Sequence, residues 1–154
     1  MLERIVSGGQ TGVDRAALDA ALGAGIPCGG WCPRGRRAAD GVIPQRYPLR
    51  ETSTSEYAER TRCNVLDSDA TLVLHCGELS GGTLLTVRTA RELAKPVLVV
   101  NLAQSTDCGL AMQWIEAHAV HTLNVAGPRE QERWGIYHLA RAWLHRLFRL
   151  LQRS

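Results

Sequence analysis

The chain opens on a short apolar run, Arg4-Ile5-Val6-Ser7, that breaks directly into Gly8-Gly9-Gln10-Thr11-Gly12. From Thr11 to Gly25, Ala16, Ala17, Ala20 and Ala21 then recur at helical spacing. A buried strand, a glycine turn and a helix, in that order, are the opening of an α/β unit. That narrows the fold more than any other feature of the sequence.

The rest of the chain repeats the alternation. Ile26 to Gly30 reads as a short strand, and Ala70 to His75, Val97 to Val100 and His121 to Val125 as further apolar strands. Helices are expected at Ser55 to Val65, with Ser53 or Thr54 as cap, at Thr83 to Ala94 and at Cys108 to His118. Ile136, Leu139, Ala140, Trp143, Leu144, Leu147, Leu150 and Leu151 keep a clear i, i+3, i+4, i+7 rhythm, so the last segment is an amphipathic helix. Trp31 to Pro48 shows no period, and a connection of that length is more often functional or mobile than idle. Strands alternating with helices imply one domain over residues 1–154. Its expected form is a three-layer, Rossmann-like α/β fold with a mainly parallel sheet of about five strands flanked by helices.

The 154 residues are 45% hydrophobic, enough for a real core. The formal net charge of +3 suits an anionic small molecule and does not argue for nucleic acid. The first residues carry no signal-peptide pattern, and no apolar run reaches the length of a membrane span. Five cysteines without matched zinc-type spacing point to a reducing, cytoplasmic compartment. For Cys28, Cys32 and His75 an inert buried role is expected and no metal site is assigned, although the sequence leaves a metal contact open.

Three strand ends run into small-residue turns: Ser7 to Gly12, Ser80-Gly81-Gly82-Thr83, and Asn124-Val125-Ala126-Gly127-Pro128-Arg129. In an open α/β sheet, ligands bind beyond the carboxyl ends of the strands. There, glycines admit an anion to the unpaired amides of the next helix. The candidate ligand-binding residues are therefore Gly8, Gly9, Gln10, Thr11, Gly12, Gly81, Gly82, Thr83, Gly127 and Arg129. Neither the Walker pattern nor the dinucleotide glycine fingerprint is present. Asp14 has two readings, a carboxylate favoured in a first helical turn or a contact to a ribose or metal; Arg15 reads as an anion contact or a solvated side chain. In Gly30 to Gly41, Arg34, Arg36 and Arg37 suit phosphate or carboxylate, and Trp31 suits stacking on a base. Asp67 and Asp69 read as turn caps, or as groups that bind a cation or polarise a base.

These motifs, with Gly30 to Arg36, Glu51 and Asp67 to Thr71, resemble the molybdenum carrier family along nearly the whole chain, from about Ile5 to Tyr137. That family is regarded as a circularly permuted branch of the superfamily that includes the cytokinin-activating phosphoribohydrolases, often called lysine-decarboxylase-like. The resemblance implies a Rossmann-like fold, a nucleotide-type ligand, and a homodimer or higher homo-oligomer. Molybdenum cofactor, a pterin with a terminal phosphate, and AMP-like nucleotides are the ligands it implies. The phosphoribohydrolases carry a glutamate three residues after the threonine of their glycine motif; three residues after Thr83 stands Thr86.

Three functions follow as expectations. The first is a binding or carrier protein for a phosphorylated small molecule. The second is an N-glycosidic nucleotide hydrolase with Asp14, Asp69 or Glu78 in acid-base work. The third is a nucleotide-sensing regulator whose last helix, with Trp143 and Phe148, either forms an interface or packs on the sheet.

Overall fold

The computed structural model describes residues 1–154. Five strands form the main sheet: β1 (Arg4–Val6), β2 (Cys28–Gly29), β7 (Ala70–His75), β8 (Val97–Asn101) and β9 (Thr122–Ala126). Their order is β2-β1-β9-β7-β8, and every neighbouring pair is parallel. β3 (Trp31–Cys32) pairs in parallel with β6 (Arg50–Glu51), and β4 (Arg37–Ala38) with β5 (Gly41–Val42) as a small hairpin. These short ladders occupy the segment that shows no period in the sequence.

A parallel sheet needs cover on both faces. Helices α1 (Val13–Ala24), α4 (Gly109–Ala117) and α5 (Ile136–Arg153) lie on one face. There Ile5, Leu72, Leu74, Leu123 and Val125 from alternate strand positions meet Ala16, Ala17, Ala20, Trp143, Leu144 and Phe148. Two layers of alanine on α1 let α5 approach closely. The apolar stripe of α5 is thus spent on the core: Trp143, Leu144, Leu147 and Phe148 are all buried. The other face is covered by α2 (Tyr57–Leu66) and α3 (Gly81–Glu92), which pack on each other.

Helix ends follow local chemistry. Gly25 closes α1 in the left-handed region, where a residue without Cβ is least strained. At α2 the expected cap is inverted. The helix starts at Tyr57, and the Glu59 carboxylate accepts from the Ser53 and Thr54 hydroxyls at 2.6 and 2.5 Å and from both backbone amides. No helix is long and apolar enough to cross a membrane.

Candidate functional site

The three glycine turns converge. Gly8, Gln10 and Asp14 from the first, Gly81, Gly82 and Thr83 from the second, and Asn124 to Gly127 with Arg129 from the third line one cleft of about 220 Å³. It opens at the carboxyl ends of β1, β9 and β7, where the chain changes direction across the sheet. Helix α2 supplies a wall absent from the sequence expectation: Tyr57, Arg60, Thr61 and Asn64. In the sequence these fall within the helix expected at Ser55 to Val65 and are not singled out as site residues. Their spacing, i, i+3, i+4 and i+7, was the available signal.

The start of α3 borders the cleft through Gly81, Gly82 and Thr83. Ser80 stands at the N-cap in extended conformation and makes no side-chain cap. The first amides of the helix therefore lack the intrahelical partners of later turns, and the helix dipole adds positive potential. An ideal Cβ on Gly82 would meet no atom within 4 Å, so that glycine borders open space. Thr83 is buried beside it, and Thr86 turns its hydroxyl back to donate to the Gly82 carbonyl at 3.0 Å.

Two arginines line the same cleft. Arg60 donates to the Gly8 carbonyl at 2.9 Å and stands 3.6 Å from the Asp14 carboxylate. Arg129 pairs with Glu132 at 3.0 Å on the rim. Asp14 is buried and accepts from the Gln10 amide at 3.2 Å. Burial pushes its pKa up, against the opposing pull of Arg60 and the Gln10 amide. Asn124 closes the floor and donates to Thr71 at 3.2 Å. The lining thus offers amides, guanidinium groups and hydroxyls, two carboxylates (Asp14 and Glu132), one aromatic ring, and no cysteine or histidine.

Several sequence candidates lie elsewhere. Gly9 packs against Leu49 and Ile43 instead of lining the cleft. Thr11 donates to Gln131 at 2.6 Å and accepts from the Glu130 amide, tying the first loop to the third. Gly12 is pressed against the backbone of Pro128 to Glu130. Arg15 donates to the Gly9 carbonyl at 3.0 Å and forks onto Asp40, so its charge holds the β4–β5 hairpin. The Gln10 side chain likewise accepts from the Thr11 and Ala39 amides.

Trp31 is not a stacking platform in the cleft. Its indole donates to Asp67 at 2.7 Å and Arg50 lies over its ring at 4.2 Å. Arg34 is exposed and also outside the cleft. Arg36 is buried and donates to the carbonyls of Ile43, Pro44, Tyr47 and Leu49, so it staples a loop and does not serve an anion. Glu51 accepts from the Gly35 amide, and Arg37 sits over Tyr57 at 5.2 Å.

Of the three carboxylates considered for acid-base work, only Asp14 reaches the cleft. Asp69 precedes β7 and so lies at the amino edge of a parallel sheet, where it accepts from the His121 and Thr122 amides at 2.9 and 2.8 Å. Glu78 is exposed on the β7–α3 loop, outside the cleft. His75 is buried at the end of β7 with Nδ1 unpartnered, and burial pushes its pKa down. Cys32 packs with Leu18, Ile43 and Tyr47, and Cys28 packs against the same group. No three His, Cys, Asp or Glu side chains come together as a metal-binding group.

Residues 5–148 match the model of the circularly permutated YpsA SLOG family. The fold is also that of a protein from Syntrophus aciditrophicus SB, known from a crystal structure and named "Putative molybdenum carrier protein". The two share 43% sequence identity and superpose with a TM-score of 0.91, over 96% of this chain and 94% of the other. No curated protein is significantly similar to the chain.

Proposed function

The chain belongs to the circularly permutated YpsA SLOG family, and we propose that its cleft binds a phosphorylated, nucleotide-like or pterin ligand, with the phosphate at the start of α3. One observation carries the reading. The uncapped amides of Gly81, Gly82 and Thr83 share a single cleft with Arg60 and Arg129. Helix-start amides and guanidinium groups are the donors that phosphate oxygens take best. Asn64, Asn124 and Thr61 then offer polar contacts for a ring edge, and Tyr57 is the one aromatic residue of the lining.

The relative is named as a molybdenum carrier, and molybdenum cofactor is the phosphorylated form of such a cargo that we propose. The lining fits the phosphate and the polar pterin of such a guest. It offers no thiolate or imidazole, so a metal carried on the guest would keep its own ligands. The role supported is therefore holding by phosphate and ring.

Calorimetric titration with AMP, with inorganic phosphate as competitor, tests the reading. Saturable binding, displaced by phosphate and lost in Gly82→Leu, is the expected result. No heat from either compound overturns it.

One observation favours a second reading. Asp14 places in the cleft a buried carboxylate whose pKa burial raises, and a carboxyl group beside the glycosidic bond is what acid-base cleavage needs. Sustained release of adenine from AMP, abolished in Asp14→Asn, would make the protein an N-glycosidic hydrolase. Binding without release leaves it a carrier.

A further inference from the structure

The turn between β9 and α5 carries Glu130, Gln131 and Glu132 in succession. Two of them hold the turn in place. The Glu130 carboxylate accepts from the Gly135 amide at 2.8 Å and from the Tyr137 amide at 3.0 Å, which ties the turn to the start of α5. Gln131 accepts from the Thr11 hydroxyl at 2.6 Å, which ties it to the first glycine turn. Of the three, Glu132 alone lines the cleft, and its carboxylate stands 3.0 Å from the Arg129 guanidinium. The Glu132 amide donates to the Arg129 carbonyl at 3.0 Å, and one such turn sets side chains three apart on the same side.

The two arginines of the cleft differ in how freely they can take a new partner. Arg60 is 11% exposed, donates to the Gly8 carbonyl at 2.9 Å and stands beside the buried Asp14. It keeps further N–H groups for a ligand but cannot swing away without stranding that carboxylate. Arg129 is 44% exposed and Glu132 is 32% exposed. An ion pair so open to water is weak, because solvent and salt compete with it. A phosphate in the cleft can therefore take the Arg129 guanidinium from Glu132.

The displaced carboxylate does not leave. It stays within the reach of its own side chain on the rim and repels the phosphate that replaced it. That repulsion scales with the charge on the phosphate. A terminal phosphate monoester carries about −1.5 to −2 at neutral pH, since its second proton leaves near pH ~6. A phosphodiester has no second proton and carries a single charge. Glu132 thus disfavours a monoester more than a diester that makes the same contacts.

On the reading that the cleft holds a phosphorylated ligand, we propose that Glu132 is a specificity-determining residue. It competes with the ligand for Arg129, and its charge favours a phosphodiester over a terminal phosphate monoester. The bonds of Glu130 and Gln131 already fix the turn, so Glu132 is not required to hold it.

AMP and the methyl ester of its phosphate supply the test, because they differ by one methyl group and one ionisable proton. Calorimetric titration of the wild type, Glu132→Gln and Glu132→Asp with both probes reads the ratio of the two affinities. Glu132→Gln should bind AMP more tightly than the wild type does. It should also move the ratio towards AMP by about threefold or more, the size expected for one charge acting across a few ångströms of wet rim. Glu132→Asp keeps the charge and should keep the wild-type ratio. Added salt should narrow the gap between the wild type and Glu132→Gln. Far-UV circular dichroism checks that each variant is folded. Binding of both probes with a ratio that Glu132→Gln does not move overturns the proposal and leaves the ligand reading standing. So does weaker AMP binding in a folded Glu132→Gln, or a ratio moved as far by Glu132→Asp. No binding of either probe by any of the three proteins overturns the ligand reading and this proposal together.

Discussion

The guanidinium of Arg60 stands 3.6 Å from the carboxylate of Asp14, and the two side chains are 11% and 9% exposed. They meet beneath the first glycine turn, and the arginine hydrogen bond goes to Gly8 and not to the aspartate. The pair is close enough to attract but not to compensate fully for the lost hydration of the carboxylate. Burial is the larger influence, and the Asp14 pKa lies above the usual 3.8.

That direction fixes a pH dependence. A raised folded-state pKa means the native chain holds this proton more tightly than the unfolded chain. The cost of ionising Asp14 is absent below the unfolded pKa and grows as pH rises from there through the folded value. Asp14→Asn should therefore be as stable as the wild type or more so at neutral pH, with a flatter profile. Urea midpoints from pH ~3 to ~8 check this. A variant clearly less stable at neutral pH would show that the carboxylate is needed ionised.

Arg60→Met removes the cation that pairs with that buried carboxylate at 3.6 Å and the donor to Gly8. Breaking one side of a buried pair typically costs about 3–5 kcal/mol, less where the orphan takes up a proton. The double variant Arg60→Met with Asp14→Asn should recover much of the loss, because no buried charge remains. A double-mutant cycle by chemical denaturation measures the coupling, and additive single effects would mean the two groups do not interact.

The glycines divide into two kinds. An added Cβ at Gly127 would collide with the Leu74 carbonyl and with Val13, whereas one at Gly82 would meet nothing. Gly127→Ala should cost about 1–3 kcal/mol by overpacking. Gly82→Leu should leave the unfolding midpoint nearly unchanged and lower affinity for AMP by tenfold or more. Thermal melts read the first effect and calorimetry the second.

The alternation of strands and helices was legible because parallel strands buried on both faces appear as plain apolar runs, such as Ala70 to His75. So was the meeting of three glycine turns, since parallel strands deliver their carboxyl ends to one edge. Trp31 to Glu51 was not legible. A two-residue strand has no period, and Trp31 finds its partner at Arg50, nineteen residues on in the sequence. The arginines there misled for a related reason. A guanidinium in a loop suits an external anion, and only the fold reveals that Arg36 has four carbonyls of its own chain to serve. Arg60 shows the converse, because a polar helix face becomes a cleft wall only when α2 packs beside the start of α3.

Asp69 separates architecture from chemistry. It accepts two backbone amides that would otherwise lack an acceptor at the start of β9, and those bonds hold its pKa below 3.8. A depressed folded-state pKa contributes stability that is present above the unfolded value and is lost as pH falls through the folded one. Asp69→Ala should therefore destabilise by about 1–2 kcal/mol at neutral pH, with a difference that shrinks under acid. It should leave AMP affinity, and any adenine release, unaltered. The six residues of β7 set it roughly 20 Å from the cleft at the rise of a strand. Calorimetry and a base-release assay on the same preparation decide the point. A folded Asp69→Ala that no longer binds would mean the ligand reaches the opposite edge of the sheet.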